Sequence, residues 1–427
     1  MSEFKTYTIE QLCIVGSSKR VHLSDYVQQG VPFYRSKEVI ELSSGKNISE
    51  QLFISPEKYS EIKSKFPVPQ ENDVLITAVG TIGEILVVKD PNFYFKDGNL
   101  IWLRNINFDI IDIDYLYYFL KSDLFQKTIK YNNIGAVQKA LTIDFLKTVK
   151  ITLPSLDNQR KLISVLKSID KKLKINNQIN QELEAMAKIL YDYWFVQFDF
   201  PDQNGKPYKL SGGKMVYNPE LKREIPEGWG VEKVGELAQF KNGINYEKTS
   251  SGSEKVKIIN VRNISSSRIF INQTDLDEIF LENDKSTNFI VNEGMILITR
   301  SGIPGATRLV SELEAKTVYS GFIIASEVND LIYKNLIFYY LKNVEEVLKN
   351  QSAGTIMKNI SQSVLTDMVV SLPPQNLLLK FNSIIDNLLE QMKNVQRQNQ
   401  ELTQLRDWLL PMLMNGQVYK RIEGKND

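Results

Sequence analysis

Leu75-Ile76-Thr77-Ala78-Val79-Gly80-Thr81-Ile82-Gly83 returns later in the chain as Leu297-Ile298-Thr299-Arg300-Ser301-Gly302-Ile303-Pro304-Gly305. In each copy an apolar strand enters a turn with a Gly-x-x-Gly spacing. Other matches follow in the same order. Tyr117-Tyr118-Phe119-Leu120-Lys121 pairs with Phe338-Tyr339-Tyr340-Leu341-Lys342, and Gly135 and Lys139 pair with Gly354 and Lys358. Segments about 220 residues apart that repeat in order mark a duplicated unit. A length of 427 residues fits two or more cores rather than one.

Each copy ends in a helical pattern that opens at a proline, Leu153-Pro154 and Leu372-Pro373. In the first, Leu162, Leu166, Ile169, Leu173, Asn176, Asn180, Leu183, Ala187 and Leu190 alternate steps of four and three. Phe381, Ile385, Leu388, Met392, Val395, Asn399, Leu402, Arg406 and Leu409 take the same places in the second. Asn180-Gln181-Glu182-Leu183 equals Asn399-Gln400-Glu401-Leu402, which puts an Asn at one a position of both seams. A polar a residue sets register and orientation. Helices of ~40 residues, ~60 Å at 1.5 Å per residue, project beyond an ordinary domain. Two matched helices are expected to pack on each other, antiparallel about a pseudo-twofold axis, with a globular unit at each end.

The fold class expected is α+β: two repeated globular α/β units separated by two long, antiparallel, coiled-coil-like helices. The boundaries read as 1–153 for the first globular unit and 154–200 for the central helix. Residues 201–372 are expected to form a linker and the second globular unit, and 373–427 the C-terminal helix. Short β-branched strands at Val74–Thr77, Ile85–Val88, Met295–Thr299 and Phe322–Ala325 accompany a helix near residue 120 and its copy near 340. Asp199–Trp229, rich in Pro, Gly and Asn, reads as a linker with turns. The start, Met1-Ser2-Glu3-Phe4-Lys5, has no apolar signal core, and the apolar stretch Val74–Val88 is broken by Gly80, Gly83 and Glu84. A soluble, cytoplasmic chain without a membrane segment is expected.

Little in the sequence points to catalysis. With one cysteine, Cys13, and one histidine, His22, Cys/His zinc sites are excluded within the chain. Gly45-Lys46, Gly205-Lys206 and Gly213-Lys214 continue with Asn, Pro and Met, so no Walker A loop is present. The Gly-x-x-Gly turns lead into another strand instead of a helix, which fits hairpins and not dinucleotide binding. There is neither a Gly-x-Ser-x-Gly motif nor an Asn-Pro-Pro-aromatic motif of amino-methyltransferases. Pro201-Asp202 with Glu220-x-Lys222 matches the loose pattern of metal-dependent nucleases, but in a turn-rich stretch where no strand pair is expected to present it. No metal is expected.

Charge is balanced, 52 Lys and Arg against 51 Asp and Glu, so any nucleic-acid role rests on local patches. Basic and amide residues recur at matching places of the two copies. Arg35 and Lys37 match Asn260, Arg262 and Asn263, and the set extends to Lys19, Arg20, Gln138, Lys139, Lys241, Asn242, Asn245, Arg300 and Lys358. Arg and Lys bond phosphates and guanine edges, and Asn and Gln pair with adenine.

Leu153-Pro154-Ser155-Leu156-Asp157-Asn158-Gln159-Arg160-Lys161, then Asn176-Asn177-Gln178-Ile179-Asn180-Gln181, Trp194-Phe195-Val196-x-Phe198 and Ile225-Pro226-Glu227-Gly228-Trp229 together resemble the specificity (S) subunit of type I restriction-modification systems. The resemblance covers nearly the whole chain, including the repeat. It implies two target recognition domains that each read half of a split, double-stranded DNA target, with the helices setting the unread spacer. It implies no catalysis and no cofactor in this chain. Two adenine-methylating M subunits carry S-adenosylmethionine, and two R subunits supply ATP- and Mg-dependent restriction. The expected M-subunit contacts are the helix pair, including Asn180 and Asn399, and its ends: Trp194, Phe195 and Phe198, and Trp408, Leu409, Leu410 and Met412. Asn158 stands where the family has Glu, and Pro374-Gln375-Asn376-Leu377 has lost the acidic-Gln-Arg pattern. Since the two recognition domains differ outside their framework, the target is expected to be asymmetric. The competing readings are a coiled-coil scaffold that binds only proteins, and a nuclease using Asp202 and Glu220.

Overall fold

The computed structural model describes residues 4–131, 140–246, 252–273, 275–351 and 359–414. The chain forms two compact units, Met1–Lys174 with Gln400–Asp427, and Ile175–Asn399.

In the first unit four antiparallel strands, β1 (Ile14–Gly16), β2 (Val74–Thr77), β3 (Ile85–Val87) and β4 (Leu100–Arg104), lie in the order β1-β4-β2-β3. Strand β2 is an unbroken apolar run because both its faces are buried. Val74 and Ile76 join Ile101, Leu103 and residues of helix α1 (Ile113–Lys121) in the main core. Leu75 packs on the other side with Trp102, Phe95 and Val39. A smaller sheet contains a parallel pair, Val31–Tyr34 with Tyr94–Phe95. The unit closes where Lys5–Thr8 pairs with Lys150–Leu153. Pro154 lacks the donor that would extend this ladder, and the chain turns into helix α2 (Leu156–Tyr191).

The second unit repeats this plan. Strands β5 (Ala238–Asn242), β6 (Ile296–Thr299), β7 (Thr307–Leu309) and β8 (Ile323–Val328) lie in the order β5-β8-β6-β7. A parallel pair again links the smaller sheet, Glu254–Ile259 with Thr317–Tyr319. Helix α3 (Lys334–Gln351) is the counterpart of α1, and Gly230–Lys233 pairs with Val369–Leu372 just before helix α4 (Gln375–Met414). The expected strands and helices are therefore present, with one main-sheet topology used twice, while the smaller sheet has four strands in the first unit, where Tyr26–Val27 adds an edge, and three in the second.

Each unit holds a segment of each long helix, and the heptad stripe is the buried one. In the first unit Leu162 and Leu166 pack with Leu410, and Arg406 lies 3.4 Å from Asp170. In the second, Asn176 donates to Gln398 at 3.3 Å, and Trp194 and Phe195 meet Phe381. Numbers rise on one helix as they fall on the other, so the segments are antiparallel within each unit. The amide partner of Asn399 is Asn177, at 3.0 Å, rather than Asn180.

Two features depart from the sequence reading. Asp199–Trp229 contains a hairpin, Met215–Asn218 with Arg223–Pro226, whose turn is closed by backbone N–H groups of Glu220 and Leu221 donating to the Asn218 side chain. Its Ile225 and the following Trp229 belong to the second unit's core, so this stretch is domain structure as well as linker. At the start of α2, Gln159 is fully buried. It accepts from the Asp112 N–H and donates to the Ile110 and Pro154 carbonyls, each at 2.9 Å. Leu378, equally buried, takes that place in the second copy, so the lost Gln-Arg pattern exchanges a hydrogen-bonded anchor for an apolar one.

Candidate nucleic-acid interface

The two Gly-x-x-Gly segments are hairpin turns built to one design. Thr77 ends β2 with its hydroxyl donating to the Thr81 carbonyl at 2.6 Å and accepting from the Glu84 N–H at 2.9 Å. Thr299 ends β6 with its hydroxyl donating to the Ile303 carbonyl and accepting from the Ala306 N–H at 2.9 Å. Gly80 and Gly83 have φ of 79° and 88°, and Gly302 and Gly305 81° and 85°, a left-handed backbone that side-chain-bearing residues rarely adopt. Each loop is thus held from inside and shows its variable residues outward, Val79 in one copy and Ile303 in the other.

The short helices Ser36–Ser43 and Val261–Ser266 start beside these turns. The Ser36 hydroxyl bonds the Asn99 carbonyl, which also receives the Ala78 N–H, and a side chain grown on Gly302 would meet Val261. Both starts share a cap: the third helical residue, Glu38 or Asn263, is buried and accepts from the N–H of Arg35 or Asn260. This corrects the reading of Asn263. At 2% exposure, and donating to the Asp275 carbonyl, it holds the loop and has no surface to offer DNA.

The other expected contacts fall into engaged and open groups. Arg35 is bound by Glu38 at 2.7 Å and faces Glu50, which also takes Lys37 at 3.2 Å. Arg262 is held between Asp275 and Asp277 at 3.1 and 2.8 Å. Lys241 lies 3.8 Å from Glu327, Arg20 bonds Asp97 while staying largely exposed, and Lys19 caps the Phe66 ring at 5.0 Å. Asn242 and Asn245 are exposed at the end of β5, where Gly321 donates to the Ile244 carbonyl. Arg300 follows β6 directly, its N–H bonded to the Phe322 carbonyl at 2.8 Å. Gln138, Lys139 and Lys358 lie outside the described residues. The structure therefore brings Asn245, Asn260, Arg262 and Arg300 to one end of the second unit, and Lys19, Arg20, Arg35 and Lys37 to the matching end of the first.

The aromatic residues after α2 are not on a surface. Trp194, Phe195 and Phe198 are buried in the second unit, Phe195 edge-on to Phe381 at 4.7 Å and Phe198 to Trp229 at 5.2 Å, with Arg223 over the Phe198 ring at 4.4 Å. They are core, which corrects their assignment as partner contacts. Leu409 packs on the first unit's core, Met412 is half-buried, and Trp408 is 60% exposed. The exposed apolar face of α2 is a different one: Ile175, Ile179, Met186 and Ile189. Its spacing is a second heptad stripe, legible in the sequence beside the stronger one.

Cys13 and Asp202 are both engaged by backbone groups. Cys13 is buried, its thiol donates to the Ile9 carbonyl, and burial pushes it up to about 12, far from a reactive thiolate. The Asp202 carboxylate is occupied by the N–H groups of Asn204 and Lys206, both at 2.8 Å. Glu220 does stand in a strand-pair turn, contrary to expectation, yet no group of three His, Cys, Asp or Glu residues suited to a metal occurs among the described residues. No helix among them is long and apolar enough to cross a membrane.

Comparison with known proteins adds the following. The family model for the type I restriction modification DNA specificity domain matches residues 1–185 and 226–404. The type I restriction enzyme MjaIX specificity subunit of Methanocaldococcus jannaschii is 26% identical over 413 residues, 94% of this chain and 90% of that protein. The HindI specificity subunit of Haemophilus influenzae is 23% identical over 65% of this chain and 71% of its own length. The S subunit of the type I restriction-modification system from M. genitalium shares the fold, with a TM-score of 0.53 at 17% identity over 97% of this chain and 96% of that one.

Proposed function

The chain belongs to the family of type I restriction modification DNA specificity domains, which it carries twice in tandem, and from that premise we propose that each of its two domains reads one half of a gapped, asymmetric DNA target. It is a DNA-recognition subunit of a type I restriction-modification system. The observation that carries the bipartite reading is the repeat itself: one strand order and one threonine-locked hairpin used twice, with different side chains displayed at equivalent places. Two readers on one chain recognise a split site whose spacing follows from protein geometry, as dimeric repressors do with two chains.

In this reading the chain has no catalysis of its own and holds no cofactor. It works in the cytoplasm and recruits two adenine methyltransferase subunits, which bring S-adenosylmethionine, and two restriction subunits, which bring ATP and Mg. Ile175, Ile179, Met186 and Ile189 are the surface we assign to the methyltransferase, because an exposed heptad stripe on a helix already paired along its other face has the form of a helix-packing site.

Selection from a random pool of double-stranded DNA tests the reading, with the full chain assembled with the methyltransferase subunit of its system. Two conserved blocks at a fixed separation are expected. Absence of enrichment favours the protein-only scaffold, and Mg-dependent cutting by the chain alone favours the nuclease.

A further inference from the structure

We propose that Arg300 is a base-reading residue that selects guanine in the half-site bound by the second unit, an inference that rests on the reading of that unit as a duplex-DNA reader. Three observations carry it. First, among the described residues every other arginine has a carboxylate, amide, carbonyl or ring partner. Arg20 and Arg35 hold Asp97 and Glu38, Arg262 holds Asp275 and Asp277, Arg308 is buried on Glu345, and Arg268 and Arg406 face Glu184 and Asp170. Arg160 and Arg397 meet Asp112 and Asn394, and Arg104 and Arg223 lie over Trp102 and Phe198. Arg300, half-buried as a residue, alone among them keeps an uncommitted guanidinium.

Second, its backbone is fixed on both sides. The N–H donates to the Phe322 carbonyl at 2.8 Å, and the carbonyl accepts from the Ile360 N–H at 2.9 Å, directly after the buried, doubly bonded Thr299. In the first unit Ala78 has the same two bonds, its N–H to the Asn99 carbonyl at 2.8 Å and its carbonyl from the Leu141 N–H at 2.9 Å. The framework is retained and the side chain exchanged, which is how two copies of one reader come to read different bases.

Third, two exposed apolar residues belong to the same corner, Phe322, whose carbonyl bonds the Arg300 N–H, and Ile303, three residues on. Phe322 is 64% exposed and Ile303 43%. Apolar side chains meet thymine methyls and base edges in the major groove, and phosphates are met by donors and cations. A guanidinium carried on a fixed backbone at a corner with exposed apolar residues therefore suits the groove floor, where its planar fork bonds guanine O6 and N7 together. A lysine ammonium is a point charge and does not reproduce that fork.

The full chain is co-expressed with its methyltransferase subunit in a host lacking adenine methylation, as wild type, Arg300→Ala and Arg300→Lys, and methylated adenines are mapped across the genome. Both variants are expected to lose about 5- to 100-fold of the preference for guanine at one position of one half-site, the other half unchanged. In parallel the wild-type complex is titrated with target DNA carrying 7-deazaguanine there. The missing N7 acceptor weakens binding of the wild type and not of the variants, and this arm stands even where a variant folds poorly. Retained guanine preference in Arg300→Lys, a uniform fall across all positions, or indifference of the wild type to 7-deazaguanine overturns the proposal in favour of a phosphate contact or a solvated surface. A wild type that methylates no gapped motif overturns instead the reading on which it rests.

Discussion

Replacing Phe381 by alanine is expected to destabilise the second unit by about 3–5 kcal/mol, the usual range for removing a buried aromatic ring. The ring is fully buried, edge-on to Phe195 at 4.7 Å and within 5.8 to 6.5 Å of Trp194, Tyr191 and Tyr339. Those partners come from α2, the wide turn Asp192–Val196 that ends it, and α3, while Phe381 itself lies on α4. One side chain thus ties both long helices to the recognition domain. Each aromatic pair adds about 0.5–1.5 kcal/mol beyond area. Leu379 lies two residues away on the same helix and is exposed, so Leu379→Ala serves as the control and is expected to stay within about 0.5 kcal/mol of wild type. Denaturant unfolding of the full chain measures both. Equal effects would contradict the central place given to this aromatic cluster.

Lengthening α2 by four residues at Lys174–Ile175, where the two units divide, is expected to widen the unread gap of the DNA target while leaving both half-sites unchanged. Four residues add about 6 Å of helix, against a rise of about 3.4 Å per base pair, so a change of one or two base pairs follows. Such an insertion is a stutter in the heptad frame, absorbed by local unwinding of the seam. Genome-wide methylation by the extended subunit with its methyltransferase partner reads the gap directly. An unchanged gap with retained methylation would show that the helices do not set the spacing.

The architecture was legible because duplication writes each feature twice. The strand β2, its hairpin and the helix start after Pro154 each recur in the second copy, and every recurrence turned an ordinary pattern into an expectation that the fold meets. The capping pairs Arg35-x-x-Glu38 and Asn260-x-x-Asn263 have the spacing of a third helical residue folding back on its cap, a signal that the reading of Asn263 as a DNA contact passes over. What was not legible depends on neighbours distant in sequence. Trp194, Phe195 and Phe198 look like a helix-end surface until Phe381 and Trp229 cover them. Arg262 looks free until Asp275 and Asp277 arrive from the start of the next strand. Gln159 looks like a surface residue of a helix start, and becomes an anchor only because the Ile110 carbonyl and Asp112 N–H lie within reach. In each case the residue type narrowed the chemistry to packing, pairing or hydrogen bonding, and tertiary position chose the partner.

The most direct test of bipartite reading is a methylated-adenine map from the wild-type chain co-expressed with its methyltransferase subunit in a host lacking adenine methylation. One motif with two dissimilar blocks at a constant separation is the predicted result. A single ungapped block, a perfect palindrome, or no methylation from a stable complex with an intact methyltransferase would contradict it.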